Sequence, residues 1–156
     1  MEFSGHKPHK AGFSALELVV TLAVVMLAAT LAIGALQSER NARTLEEATA
    51  QTLALLREAR SRTLSSDAGM QFGVRFESSG AILFQGSAFV DGAPENRIVW
   101  FGARVRVSTT LPNESVVFGR LTGQASGIGT IVLALASDAM VRRTVAIEES
   151  GIAYAE

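Results

Sequence analysis

The apolar and polar positions along this chain change rhythm twice. From Leu18 to Leu36 nineteen residues pass without a charged side chain, and only Thr21, Thr30 and Gly34 interrupt the apolar run. Coiled as a helix, that run is about 28 Å long, close to the thickness of a bilayer's hydrocarbon core. Beyond it the pattern turns amphipathic. Leu45, Ala48, Thr52, Leu55, Leu56, Ala59 and Thr63 recur at spacings of three and four, with Glu and Arg residues between them. Such spacing predicts a single apolar stripe along a helix. No proline falls between Phe13 and Leu64, so one helix of about 75–80 Å is expected. Gly34 is its soft point, because glycine weakens a helix interior by about 1 kcal/mol relative to alanine. A coiled coil is the alternative for the amphipathic half, but its heptads are short and irregular.

The second change follows Ser65-Ser66-Asp67-Ala68-Gly69, where the period drops from about 3.6 to two. Phe72, Val74 and Phe76 alternate with Gly73 and Arg75, and Ser78-Ser79-Gly80 turns the chain into Ala81–Gln85. Further strands are expected at Arg97–Phe101, Arg104–Val107, Ser115–Leu121, Thr130–Ala136 and Arg142–Glu148. Short connections rich in glycine or proline favour antiparallel pairing. The expected fold is therefore α+β: a long N-terminal α-helix packed on a C-terminal antiparallel β-sheet or sandwich domain. Its parts are a polar N-terminal stretch (1–12), a helix of transmembrane length (13–36), an amphipathic continuation (37–66) and a globular β domain (67–156).

Length and charge refine this picture. At 156 residues there is room for one compact domain and one long element. Both lysines (Lys7, Lys10) and both histidines (His6, His9) lie in the first ten residues. Without residues 1–12 the chain keeps twelve arginines against fourteen acids, a net charge of −2, and has no Cys, His or Lys. Cysteine nucleophiles, Ser-His-Asp triads, Schiff-base lysines and Cys/His zinc sites are then excluded. No catalytic residue, metal or cofactor is expected.

Residues 1–12 are polar and basic, with Gly5 and Pro8 opposing a helix. Positive charge ahead of an apolar span predicts a cytoplasmic N-terminus and an exported remainder. Two ordinary explanations exist. One is a cleaved secretory signal with Ile33-Gly34-Ala35 as its small-residue site, which would make this an exported β-domain protein; the other is a plain signal anchor. Glu17 argues against both, since a carboxylate inside an apolar span costs about 2.5–3.5 kcal/mol and needs a partner or a function. Cleavage after Gly12 would create an α-amino group at Phe13, one helical turn before Glu17. A staggered neighbour in a helical bundle can offer that amine to the carboxylate.

The segment Ala11-Gly12-Phe13-Ser14-Ala15-Leu16-Glu17-Leu18-Val19-Val20 resembles the class III leader of type IV pilins and type II secretion pseudopilins. The resemblance implies a structural subunit cut by prepilin peptidase between Gly12 and Phe13, methylated at Phe13 and assembled through Glu17. Ala15 stands where Thr or Leu is more usual in that family. Implied partners are the peptidase, other pilins or pseudopilins in a helical filament, an inner-membrane assembly platform, and membrane lipid before assembly. The implied location is the cytoplasmic (inner) membrane, crossed once with the N-terminus inside, and then an extracytoplasmic filament. The C-terminal body is similar to the GspH/FimT group of minor pilins and pseudopilins. That similarity lies in Phe118, Gly123, Gly127-Ile128-Gly129-Thr130 leading into Ile131–Leu133, Arg143–Ile147 and Gly151-Ile152. Pilus and secretion pseudopilus both remain open, as do minor and major subunit.

Other motifs carry less. Gly127-Ile128-Gly129 lacks the lysine of a phosphate loop and opens no helix, which makes it a strand turn. Asp91, Glu95 and Asp138 have no calcium-loop spacing. Asn113-Glu114-Ser115 fits the glycosylation pattern, a short motif that arises often by chance. Arg104 and Arg106 are expected on one strand face, with Arg142, Arg143 and Arg120 adding to a patch. Some FimT-like pilins bind DNA for uptake through a basic C-terminal region, whereas residues 148–156 here are acidic. Phosphate-driven binding needs clustered positive charge. Paired surface charge is the expected role of Arg104, Arg106, Arg142 and Arg143, with weak nucleic-acid contact as the alternative.

Overall fold

A computed structural model describes residues 14–65 and 69–156 of the chain. One helix, α1 (Ala15–Leu64), runs through the junction of two units, which falls between Glu39 and Arg40.

Within the first unit, the Ser14 carbonyl accepts the Leu18 amide at 3.2 Å, starting the helical ladder. Leucines and valines from Leu16 to Leu31 are all exposed, because this stretch has no protein interior to enter. Its two threonines satisfy themselves. Thr21 Oγ donates to the Leu18 carbonyl at 2.9 Å and Thr30 Oγ to the Leu27 carbonyl at 2.8 Å, so neither hydroxyl needs water.

The second unit joins the C-terminal part of α1 to two antiparallel four-stranded sheets. The first sheet contains β1 (Phe72–Glu77), β2 (Gly80–Gln85), β3 (Arg97–Trp100) and β5 (Ser115–Val117), in the order β3-β2-β1-β5. The second contains β4 (Val105–Thr109), β6 (Gly129–Leu135), β7 (Arg142–Ile147) and β8 (Ala153–Ala155), in the order β4-β6-β7-β8. Leu45, Leu55, Leu56 and Ala59 of the helix share one buried cluster with Val74, Phe76 and Leu83 of the first sheet and Val105, Ile131 and Val145 of the second. The expected apolar stripe is thus the face that packs. Its threonines are buried but not orphaned: Thr49, Thr52 and Thr63 each donate to the carbonyl four residues back. Thr63 Oγ also accepts the Phe72 amide at 2.9 Å, tying the end of the helix to the start of β1. The Arg62 guanidinium lies 4.1 Å over the Phe72 ring at the same junction.

Two glycines are required by close approach. At Gly73 a Cβ would meet the Phe84 ring at 2.5 Å, since that ring crosses β1 at this point. Gly151 has φ +76°, and a Cβ there would overlap the Gly123 carbonyl. Arg60 staples the same corner, donating from Nε to the Gly123 carbonyl at 3.1 Å and from Nη2 to the Ser150 carbonyl at 3.3 Å.

Several sequence expectations are corrected in detail. The strand expected at Arg104–Val107 is Val105–Thr109. The one expected at Ser115–Leu121 stops at Val117, followed by a single bridge between Phe118 and Ala125. A turn ends it: the Gly119 amide bonds the Gln124 carbonyl, and Leu121 and Gly123 both take positive φ. β8 was not expected; it adds to β7 with Tyr154 opposite Ala146. The helix expected to begin at Phe13 is described from Ala15, and Phe13 itself lies outside the described residues.

Candidate functional site

The apolar segment of α1 presents one chemical irregularity. Between Ala15 and Leu36 the only ionisable side chain is Glu17, in the first turn of the helix. Its position is favourable for the helix itself, because an acid in the first turn complements the positive end of the macrodipole. Its surroundings are not. The most apolar window of the helix has a mean hydropathy of 2.5 and none of it is buried within the chain. Leu16, Leu18 and Val20 flank Glu17, all exposed. Large apolar side chains on every side of one helix demand a covering from outside the chain, either lipid or other protein. Once covered, Glu17 would be a carboxylate without water, and a cation brought by the covering could balance it. Gly12 and Phe13 lie outside the described residues, so the spacing of Glu17 from Phe13 stays a sequence observation.

The four arginines divide differently from expectation. Cross-strand register sets Arg106 opposite Ala134 and Ala134 opposite Arg142, so Arg106 and Arg142 share one sheet face. Arg104 precedes β4 at the end of that face, and its carbonyl accepts the Ala136 amide. Arg143 pairs with the fully buried Leu133 and therefore projects from the opposite face, where it lines a cleft with Glu46, Leu53 and Glu156. Consecutive residues of a strand point to opposite sides, so Arg143 does not join the patch expected of it with Arg104, Arg106, Arg120 and Arg142. Among the described residues, ion pairs link Arg75 with Glu114 and Arg97 with Glu58, and no hydrogen bond or ion pair engages the Arg104, Arg106, Arg142 or Arg143 side chains. Among the described residues no group of three His, Cys, Asp or Glu side chains is placed to hold a metal ion.

Two solved structures share this fold. Both are crystal structures of the type IV minor pilin FimU of Pseudomonas aeruginosa strain PAO1, in two crystal forms. The first is 17% identical, with a TM-score of 0.58, covering 76% of this chain and 91% of that one. The second is 16% identical, with a TM-score of 0.54 over 72% of this chain and 92% of the other. No protein-family model matches the sequence, and no curated protein matches it significantly. The chain has a type IV pilin-like fold: a long N-terminal helix packed on antiparallel sheets.

Proposed function

We propose that this chain is a non-enzymatic structural subunit of the pilin or pseudopilin kind, held in the membrane by residues 13–36 and then built into a filament through the same segment. The observation that carries this reading is Glu17, alone and acidic in an uncovered apolar helix that leads into a pilin-like fold. Prepilin peptidase cuts between Gly12 and Phe13 and methylates Phe13. The α-amino group so formed pairs with Glu17 of a staggered neighbour, which fixes register while apolar packing supplies most of the association energy. The GspH/FimT-like body favours a minor subunit over a major one, in a type IV pilus or a type II secretion pseudopilus. An inner-membrane platform and other pilins are its partners.

Intact-mass and N-terminal analysis of the protein recovered from membranes tests the reading. A chain beginning with N-methylated Phe13 is expected. A start near Leu36 would show an ordinary secretory signal and overturn it, and an uncut Met1 start would leave a plain anchor.

A second reading has one observation in its favour. Arg104, Arg106 and Arg142 are exposed, unpaired and on one face, with two of them about 10 Å apart across β6. Such a row suits nucleic-acid phosphates, which would make this a DNA-binding minor pilin for uptake. The net charge of −2 opposes it. Replacing all three by alanine should remove salt-dependent DNA binding if the row acts, while Arg143→Ala should change little because that side chain faces the other way. An absence of DNA binding at low salt eliminates this reading.

A further inference from the structure

A cleft of about 370 Å³ lies on the outer face of the first sheet, beside β1 and β5. Its floor is set by register: Arg75 and Ser115 are direct cross-strand partners and so share that face. One wall is Phe89, whose ring packs edge-on against Phe84 at 5.6 Å and carries the Arg75 guanidinium 4.9 Å over its own face. The other wall is the turn Pro112–Glu114. We propose that this cleft binds a neutral pyranose, a sugar residue of a glycan.

Three observations converge on it. The first is strain. Asn113 and Glu114 adopt φ values of 53° and 55° in succession, a left-handed conformation that side chains other than asparagine avoid. Strain held in a turn that borders a cleft is typical of ligand sites. The second is uncommitted hydrogen-bonding capacity. The side chains of Ser87, Asn113 and Ser115 line the cleft and have no hydrogen-bond partner among the described residues. Ser126 Oγ accepts the Val117 amide at 3.0 Å, which leaves its proton to donate. Hydroxyls and an amide offer donors and acceptors together, the mixture that vicinal sugar hydroxyls require. The third is charge. Arg75 Nη2 lies 3.4 Å from Glu114 Oε2, so the cation is already balanced and the site does not call for an anion. The Phe89 and Pro112 rings give the C–H face of a pyranose an apolar surface, and the volume falls in the range of small-ligand pockets.

The cleft lies in the β domain and is independent of the filament reading. The test uses the full chain in detergent micelles and saturation-transfer NMR with the methyl glycosides of glucose, galactose, mannose and N-acetylglucosamine. N-acetylneuraminic acid serves as the anionic probe. Transfer to at least one neutral glycoside is expected. Ser87→Ala and Ser115→Ala should each weaken that binding about three- to tenfold, the effect of one hydrogen bond. Neither hydroxyl has a partner among the described residues, so the melting temperature should hold; if Ser115→Ala fails to fold, Ser87→Ala in its exposed loop still decides. Transfer to none of the neutral glycosides, transfer to the anionic sugar alone, or binding unchanged by both serine substitutions overturns the proposal. Each of those outcomes leaves the N-terminal mass and the filament reading untouched.

Discussion

Two stretches of the same helix treat their leucines in opposite ways. Leu27 is 65% exposed and Leu56 is 1% exposed, although both belong to one continuous α-helix. The difference is written in spacing. Around Leu56 apolar residues recur every three or four positions, so one face can enter a core while the others stay wet. Around Leu27 they occupy nearly every position, and no single protein face could cover them all. A striped helix is completed by its own chain. A helix apolar on every side is completed only by something that surrounds it, as lipid does and as a bundle of like helices does.

The largest expected effect breaks the comparison if it fails. Leu56→Ala should destabilise the β domain by about 2–5 kcal/mol, because it empties a fully packed site. Leu27→Ala, the same change in chemistry, should stay within about 0.5 kcal/mol in the same measurement. Thermal unfolding of the full chain in detergent, followed by near-ultraviolet circular dichroism of Trp100 and the domain's aromatic rings, gives both values. Equal losses would mean that the two stretches are not packed differently after all.

A smaller effect sharpens the contrast, because here the local hydrogen bond is alike and only the context differs. Thr30 and Thr63 both donate to a carbonyl of the preceding turn. Thr63 Oγ additionally accepts the buried Phe72 amide. Thr63→Val keeps the shape and leaves that amide without a partner, a loss of about 1–3 kcal/mol. Thr30→Val removes a hydroxyl that only its own helix uses, and the unfolding midpoint of the domain should not move. A drop for Thr30→Val comparable to that of Thr63→Val would assign the hydroxyl a contact beyond its own turn.

These contrasts also mark how far the sequence could be read. The uncharged run and the switch from helical to alternating period are local properties, and the long helix and the antiparallel strands both follow them. Strand alternation should equally have separated Arg142 from Arg143, since adjacent strand residues cannot share a face; counting charges hid it. What was not legible depends on distant residues. The strand expected to reach Leu121 ends at Val117 because the Gly119–Gln124 turn returns Ala125 and Ser126 to pair with it. The cleft at Arg75 needs Phe89, Asn113 and Ser126 from three separate loops, and Asn113-Glu114-Ser115 alone suggested only a chance glycosylation motif. The strain there is invisible in composition. Glu114→Gly should test it, raising stability by up to about 1 kcal/mol as the left-handed φ ceases to be penalised, with a higher denaturant midpoint as the readout.

The smallest effect on stability carries the largest weight for function. Glu17→Gln changes charge with almost no change of shape, in the first turn of the helix. The unfolding midpoint of the β domain should stay within about 0.5 kcal/mol of wild type, and, if the proposed processing holds, the mature N-terminus should still be Phe13. Incorporation into filaments should nonetheless fail. An amide cannot neutralise an α-ammonium group drawn into an apolar bundle, and leaving that charge unpaired costs several kcal/mol per subunit. Glu17→Asp keeps the charge but shortens its reach by one methylene, so partial incorporation is expected. If Glu17→Gln assembles at the wild-type level, assembly does not rest on this pairing. The carboxylate would then be a helix-terminal acid favoured by the macrodipole alone, and the uncovered apolar helix would be explained by lipid without any filament.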